Sequence, residues 1–269
     1  MPNGAPFELV IVCAGEAQGD GQENNDGFLE NTEVLRLHPL YQPLTDAGRR
    51  QAKSAGSWIR ENESNRIGLH LVSDENACLE TAGLLGLPDA LWQIESDLRA
   101  REWGELEALS SAERRRLIER FERDVWANEF FARPGNVESM AQVALRCSAL
   151  LHLVVNQSHM RRAIIVCKVS VAWALRVLIE HLSSSEYSRI RHERHDKDVL
   201  HPGQILLYSR QEEGGRNDEY TRVCSVCPWN TDLSPNEWIS IQRKFFSNEE
   251  LLTRAQDPLR RPPLFPKKG

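Results

Sequence analysis

The sequence predicts an α/β fold with a mostly parallel sheet and an antiparallel edge. Three observations carry this expectation. Short apolar runs rich in β-branched residues recur at 7–13, 67–72 and 163–167, the pattern of strands buried on both faces. Segments with helical periodicity lie between and after these runs, so strand and helix alternate along most of the chain. Two further apolar runs, 204–209 and 220–226, flank the turn-like string Glu212-Glu213-Gly214-Gly215-Arg216-Asn217-Asp218, which reads as a hairpin.

The elements follow in order. The first strand, 7–13, stops at Ala14-Gly15, and residues 16–43 are aperiodic and rich in Gly, Asn and Asp, hence a long loop. Thr45 is a good N-cap for a helix to Glu61 that places Ala47, Ala52, Ala55, Trp58 and Ile59 near one face. After the strand 67–72, a helix runs from Asn76 to Leu85 and closes at Gly86, and 91–94 reads as a short edge strand. Residues 110–131 form a charged helical excursion with little apolar face, ended by Arg133-Pro134-Gly135-Asn136. An amphipathic helix is expected over Val137–Val155, and an apolar one over Val169–Leu182 directly after the strand 163–167. Residues 235–257 read as one or two short helices, and the Pro-rich, basic tail 258–269 as extended. The chain therefore divides into an α/β domain, 1–228, and a C-terminal helical and Pro-rich extension, 229–269.

Composition narrows the function classes. The chain has 269 residues, 41% of them hydrophobic and 27% charged, which is the make-up of a globular protein with a substantial core. Its 33 Lys+Arg against 39 Asp+Glu give a formal net charge of −6, so a surface devoted to nucleic acid is not expected. No run of about 18 apolar residues marks a membrane span. The first residues lack the basic region of a signal peptide and the Arg/Ser-rich look of a transit peptide. The six cysteines lie in apparent core segments and read as reduced, buried thiols, which points to the cytoplasm, with the nucleus as the alternative.

Six strings, each on its expected element, align with one family. They are Cys13-Ala14-Gly15-Glu16, Pro43-Leu44-Thr45 leading to Gly48 and Gln51-Ala52, and Ser73 through Ala77-Cys78 to Thr81-Ala82. They continue with Leu98-Arg99-Ala100-Arg101-Glu102-Trp103-Gly104, then Glu138-Ser139 with Arg146, then Cys167-Lys168-Val169. Over residues 7–210 the chain resembles the histidine phosphatase superfamily, the phosphoglycerate mutase-like enzymes. The resemblance implies a three-layer α/β/α sandwich. It also implies a site in which one histidine attacks phosphorus, two arginines and a second histidine hold the phosphoryl oxygens, and a carboxylic acid protonates the leaving group. At the matching positions this chain has Ala14 for the nucleophile, Cys13 and Ala77 for the arginines, Lys168 for the second histidine and Ala100 for the acid. The nearest histidines, His38, His70 and His159, fall outside the matched sites.

The resemblance thus implies a catalytically inactive member of the family, serving as a protein-interaction or scaffold subunit that needs no cofactor. Alternatives stay open. One is a divergent phosphatase using Cys13 as nucleophile. Another is a sensor of phosphate or a phosphometabolite, with Gly15, Arg101 and Lys168 as residual anion-binding groups. Against this, Lys168 could simply fill the vacated pocket and pair with Glu16 or Glu102. A third reading is an RNA-associated subunit using the basic cluster 189–197. Cys224 and Cys227 form a lone C-x-x-C that would need further ligands, such as His192, His195 or His201, to hold zinc, and otherwise reads as buried thiols. For a protein partner, the candidate segments are 110–131, with Trp126, Phe130 and Phe131, and 229–269, with Trp229, Trp238, Phe245, Phe246, Phe265 and the Arg260-x-x-Pro263-x-x-Pro266 spacing; of these, Trp238 and Phe245 are expected to dock onto the domain's own core, and the tail after Pro258 is the preferred partner segment.

Overall fold

A computed structural model gives the fold. It describes residues 8–19, 37–62, 67–104, 116, 130–133, 137–156, 162–193, 199–210, 219–234 and 236–256. Most of the 110–131 excursion, His159, residues 194–197 of the basic cluster and the tail 258–269 lie outside the described residues.

Seven strands form one sheet. They are β1 (Glu8–Cys13), β2 (Leu69–Val72), β3 (Trp92–Ile94), β4 (Arg162–Cys167), β5 (Ile205–Ser209), β6 (Arg222–Val226) and β7 (Trp238–Ser240), in the order β3-β2-β4-β1-β5-β6-β7. The junctions from β3 to β1 are parallel, and those from β1 to β7 are antiparallel. The sheet is therefore mixed, with an antiparallel half rather than only an antiparallel edge. One reason is β7, which falls where the sequence suggested only helix. Its three residues are exposed and carry no alternation, so pairing with β6, not a local pattern, makes them a strand.

Helices cover both faces. On one side α1 (Asp46–Asn62) and α2 (Asn76–Leu85) pack Ala55, Ile59, Ala82 and Leu85 against Val10, Val12, Ile164 and Val166. On the other, α3 (Met140–Asn156), α4 (Val169–Ile179) and α5 (Ser184–Glu193) enclose Leu9, Ile11, Ile165 and Cys167. This is the expected three-layer α/β/α arrangement. A last helix, α6 (Asn248–Gln256), has no buried residue.

Local chemistry sets the helix ends. Thr45 Oγ1 accepts the Gly48 N–H at 2.9 Å, as an N-cap should. The helix expected from Val137 starts at Met140, because Ser139 caps it. The Ser139 hydroxyl accepts from the Gln142 amide at 3.2 Å, and the Gln142 side chain accepts from the Ser139 amide at 2.9 Å. The same reciprocal box opens α5 at Ser183 and Glu186, and α6 at Ser247 and Glu250. Helix α4 stops at Ile179, short of the expected Leu182. His181 turns left-handed there, at φ 54°, and the Leu182 N–H reaches back to the Val177 carbonyl at 3.0 Å. Among the described residues, no helix is long and apolar enough to cross a membrane.

Candidate functional site

The parallel strands β1, β2 and β4 end side by side, which is where open α/β sheets place their ligands. Hydrogen bonds tie the segments beyond them into one cluster. The Ala14 amide donates to the Cys167 carbonyl at 2.8 Å, the Ser73 amide to Val166 at 3.0 Å, and the Arg101 amide to Ser170 Oγ at 3.3 Å. Loop 201–204 closes over β1: Gly203 donates to the Ala14 carbonyl at 3.2 Å, and Cys13 donates to Gln204 at 2.8 Å. The structure thus brings Cys13, Ala14, Ala77, Ala100 and Lys168 to the same end of the sheet.

Successive residues point to opposite faces, so Cys13 enters the core beneath α3 and α4, and Ala14 the core beneath α1 and α2. Both are closed off from water, as is Ala77. Burial pushes the Cys13 thiol up to about 12, with Cys227 adding to the shift, so at neutral pH it is a thiol and not a nucleophilic thiolate. Cys167, its register partner on β4, is raised well above the ordinary thiol range by the same burial.

The residues expected to retain anion affinity are already engaged. Gly15 donates its N–H to Thr81 Oγ1 at 3.0 Å, and the Thr81 hydroxyl donates to the Ala77 carbonyl at 2.7 Å. The next amide, Glu16, donates to Gln51 Oε1 at 2.9 Å. Arg101 donates from Nε to the Glu138 carbonyl and from Nη2 to the Ala132 carbonyl at 3.3 Å, and its guanidinium lies 5.2 Å from the Trp103 ring centroid. Arg146 joins the Glu138 carboxylate at 2.9 Å and spans the carbonyls of Asp97, Arg99 and Ala100.

Lys168 is the N-cap residue of α4, directly after β4. Its charge also acts on the buried Glu75. The Glu16 carboxylate accepts from Thr45 Oγ1 at 2.8 Å, and Glu102 bears on Arg99. Glu75 was not singled out by sequence reasoning, yet it is the buried carboxylate of the site, only 4% exposed. One of its oxygens accepts from Ser73 Oγ at 3.0 Å and from the Ala100 amide at 2.9 Å. Burial raises its pKa, against the pull of the Ala100 amide, Lys168 and Ser73. A glutamate at the first turn after a strand is the one local signal that could have drawn attention to it.

The remaining candidates lie elsewhere. His38 Nδ1 accepts from the Leu40 amide at 3.2 Å and caps a 3₁₀ turn, while His70 packs edge-on to Trp92 with ring centroids 5.2 Å apart. Cys224 and Cys227 are buried, and burial pushes Cys227 up to about 11. Among the described residues, no group of three or more His, Cys, Asp or Glu side chains is placed to hold a metal ion. Within the basic cluster, residues 189–193 are the last turns of α5. A surface groove of about 490 Å³ lies apart from the strand ends, where His181, Glu186 and Arg189 face Arg243, Phe246 and Arg254.

The fold and the order of these segments define a class. The model of the histidine phosphatase superfamily, branch 1, matches residues 37–204, and the chain belongs to that superfamily. Solved structures share its architecture. A mycobacterial glucosyl-3-phosphoglycerate phosphatase matches at TM-score 0.59 and 18% identity, over 76% of this chain and 90% of that one. A structure described as a putative alpha-ribazole-5'-P phosphatase from Escherichia coli gives 0.57 and 17%, over 77% and 92%. YhfR of Bacillus stearothermophilus gives 0.59 and 16%, over 79% and 93%. At these identities the likeness is one of fold. No curated protein sequence matches the chain.

Proposed function

We propose that this protein is a catalytically inactive member of the histidine phosphatase superfamily that works as a protein-interaction subunit. The observation that carries the reading is the chemistry at the strand ends. The position that the family resemblance assigns to the nucleophile is the buried methyl group of Ala14, and that of the acid is Ala100. Phosphoryl transfer through a phosphohistidine needs an imidazole lone pair at the first and a proton donor at the second. Loss of a single transition-state donor costs on the order of 10² to 10³ in rate, and here nucleophile and acid are both replaced. Cys13 does not substitute for them, because its proton is held to about 12.

The interaction role draws on the other end of the chain. Trp238, Ile239, Phe245, Phe246, Leu251 and Leu252 are exposed within a span of fifteen residues, from 238 to 252, so Trp238 and Phe245 do not dock onto the core as the sequence suggested. Exposed apolar groups concentrated in this way mark surfaces that associate. The test is turnover of generic phosphomonoesters, and mutase exchange between phosphoglycerates, by the wild-type chain. The expected result is background rate. Hydrolysis that disappears in Cys13→Ser would overturn the reading in favour of a cysteine phosphatase.

A further inference from the structure

Helix α6 is short and stands apart from the core. It has nine residues, and none of them is buried. Isolated helices shorter than about 12–15 residues are marginal in water, and most helices are held by burying an apolar face. The Ser247–Glu250 box satisfies amides at its start, and the Arg254 guanidinium reaches back over the Phe246 ring at 4.3 Å. Its apolar side stays uncovered. Asn248, Leu251, Leu252 and Ala255 fall at i, i+3, i+4 and i+7, so they form one stripe, and all four are exposed. Leu251 is 53% exposed and Leu252 64%. A bare apolar stripe on so short a helix is stabilised by a second surface laid over it.

The charges beside the stripe select that surface. Glu249 and Glu250 sit in the first turn of α6 and Arg254 in the last. A second α6 laid antiparallel along the stripe brings the acidic turn of each helix alongside the arginine of the other, at both ends, while the leucines of the two copies meet in the middle. The macrodipoles of antiparallel helices also attract. A parallel copy would set like charges side by side. The stripe is therefore complementary to itself under a two-fold rotation, which is the condition for an isologous interface.

We propose that α6 docks on the α6 of a second copy of this chain, antiparallel, about a two-fold axis beside Leu251 and Leu252. The proposal rests on the reading of 236–256 as an interaction surface and names the partner of its helical part. A helix of nine residues offers a contact only about 14 Å long. That is smaller than a standard interface of roughly 1,200–2,000 Å², so the dimer is weak and forms with rising concentration.

The experiment is sedimentation velocity on the full chain, from micromolar to near-millimolar concentration at low salt. It compares wild type with Leu251→Ser/Leu252→Ser, with Arg254→Glu, and with Glu249→Lys/Glu250→Gln, in which the glutamine keeps an acceptor for the cap at Ser247. Wild type should pass from monomer to dimer as concentration rises. The leucine variant should stay monomeric. Each charge variant alone should need about tenfold more protein to dimerise, because both symmetric pairs become repulsive. An equimolar mixture of the two charge variants should recover the dimer, since each then meets its opposite. Recovery requires α6 to be formed in both chains, so it separates lost pairing from a lost helix. A wild type that is monomeric throughout overturns the proposal. So does a dimer that all the variants preserve, which would place the contact on another face, and so does a mixture that behaves like its components. A monomeric wild type whose Phe245→Ser variant still loses co-purifying proteins would remove the contact between copies and leave the interaction reading standing.

Discussion

The strand-end cluster and the segment 236–256 treat their side chains in opposite ways. At the strand ends Cys13, Cys167, Ser73 and Glu75 are enclosed, and the Glu75 carboxyl accepts from the Ser73 hydroxyl and the Ala100 amide. Across 236–256 the edge strand β7 and the helix α6 leave Trp238, Phe245, Leu251 and Leu252 exposed. The first region has the order of a protein interior, where a change of one methyl group is felt by its neighbours. The second has little internal packing to lose. The side chains named at the strand ends are enclosed, and those named in 236–256 face solvent.

The contrast can be broken most directly by paired truncations. Ile165, on β4, is fully buried, and Ile165→Ala should cost about 2–5 kcal/mol in denaturant unfolding. Leu252, 64% exposed, should change stability by no more than about 0.5 kcal/mol when cut to alanine. Equal effects would mean that the extension is as tightly packed in solution as the sheet. A smaller but still clear loss is expected just beyond β1. A Cβ added at Gly15 would lie 2.4 Å from the Gly48 carbonyl oxygen, and one at Gly48 would lie 2.2 Å from that of Glu16. Both neighbours are backbone, so Gly15→Ala should lower stability by about 1–3 kcal/mol. A neutral outcome would show that the turn and α1 separate more easily than their contact distance implies.

Two carboxylates sharpen the comparison through pH, because their shifts have opposite signs. Burial raises Glu75, so its contribution to stability is fully present below the ordinary value of 4.5 and is lost as pH rises through the higher native value. Glu186, on α5, is raised by burial but lowered more by hydrogen bonds from Lys244 and Ser183, and it titrates at about 2. Its contribution is present above 4.5 and disappears as pH falls toward about 2. The melting temperature of Glu75→Gln relative to wild type should therefore rise from acid to neutral pH. That of Glu186→Gln should fall over the acid range as wild type gains its ionised contact with Lys244. Parallel pH profiles for the two variants would remove the distinction between a sealed site and a surface clasp.

How much of this was readable beforehand differs residue by residue. Thr45, Ser139 with Gln142, and Ser247 with Glu250 are local signals, since each cap and its amide lie within one turn, and sequence alone supplies both partners. The strings that hold Ala14, Ala77, Ala100 and Lys168 occur in family order on successive elements, which is what marked the superfamily from sequence. Glu75 was not legible in this way, since its partner at Ala100 lies 25 residues along the chain and only the folded sheet brings the two together. The strand β7 was missed for the same reason. Trp238-Ile239-Ser240 has no alternation of its own and takes its state from Cys224, Val223 and Arg222 on β6.

The smallest expected effect on stability is also the one that bears most on the proposed role. Phe245 is 86% exposed, and it adjoins Phe246, over whose ring the Arg254 guanidinium lies at 4.3 Å. An aromatic ring held out to water beside cationic groups has the composition of an interface anchor. Phe245→Ser removes that ring and leaves the sheet, the strand-end cluster and the Lys244–Glu186 contact in place. Unfolding free energy should move by no more than about 0.5 kcal/mol, because the side chain makes few contacts to lose. Proteins that co-purify with the wild type and are identified by mass spectrometry should be depleted several-fold from the variant. A large fall in stability would place Phe245 in the protein's own core in solution. Unchanged recovery of every partner at unchanged stability would move the interface off this segment and onto another face.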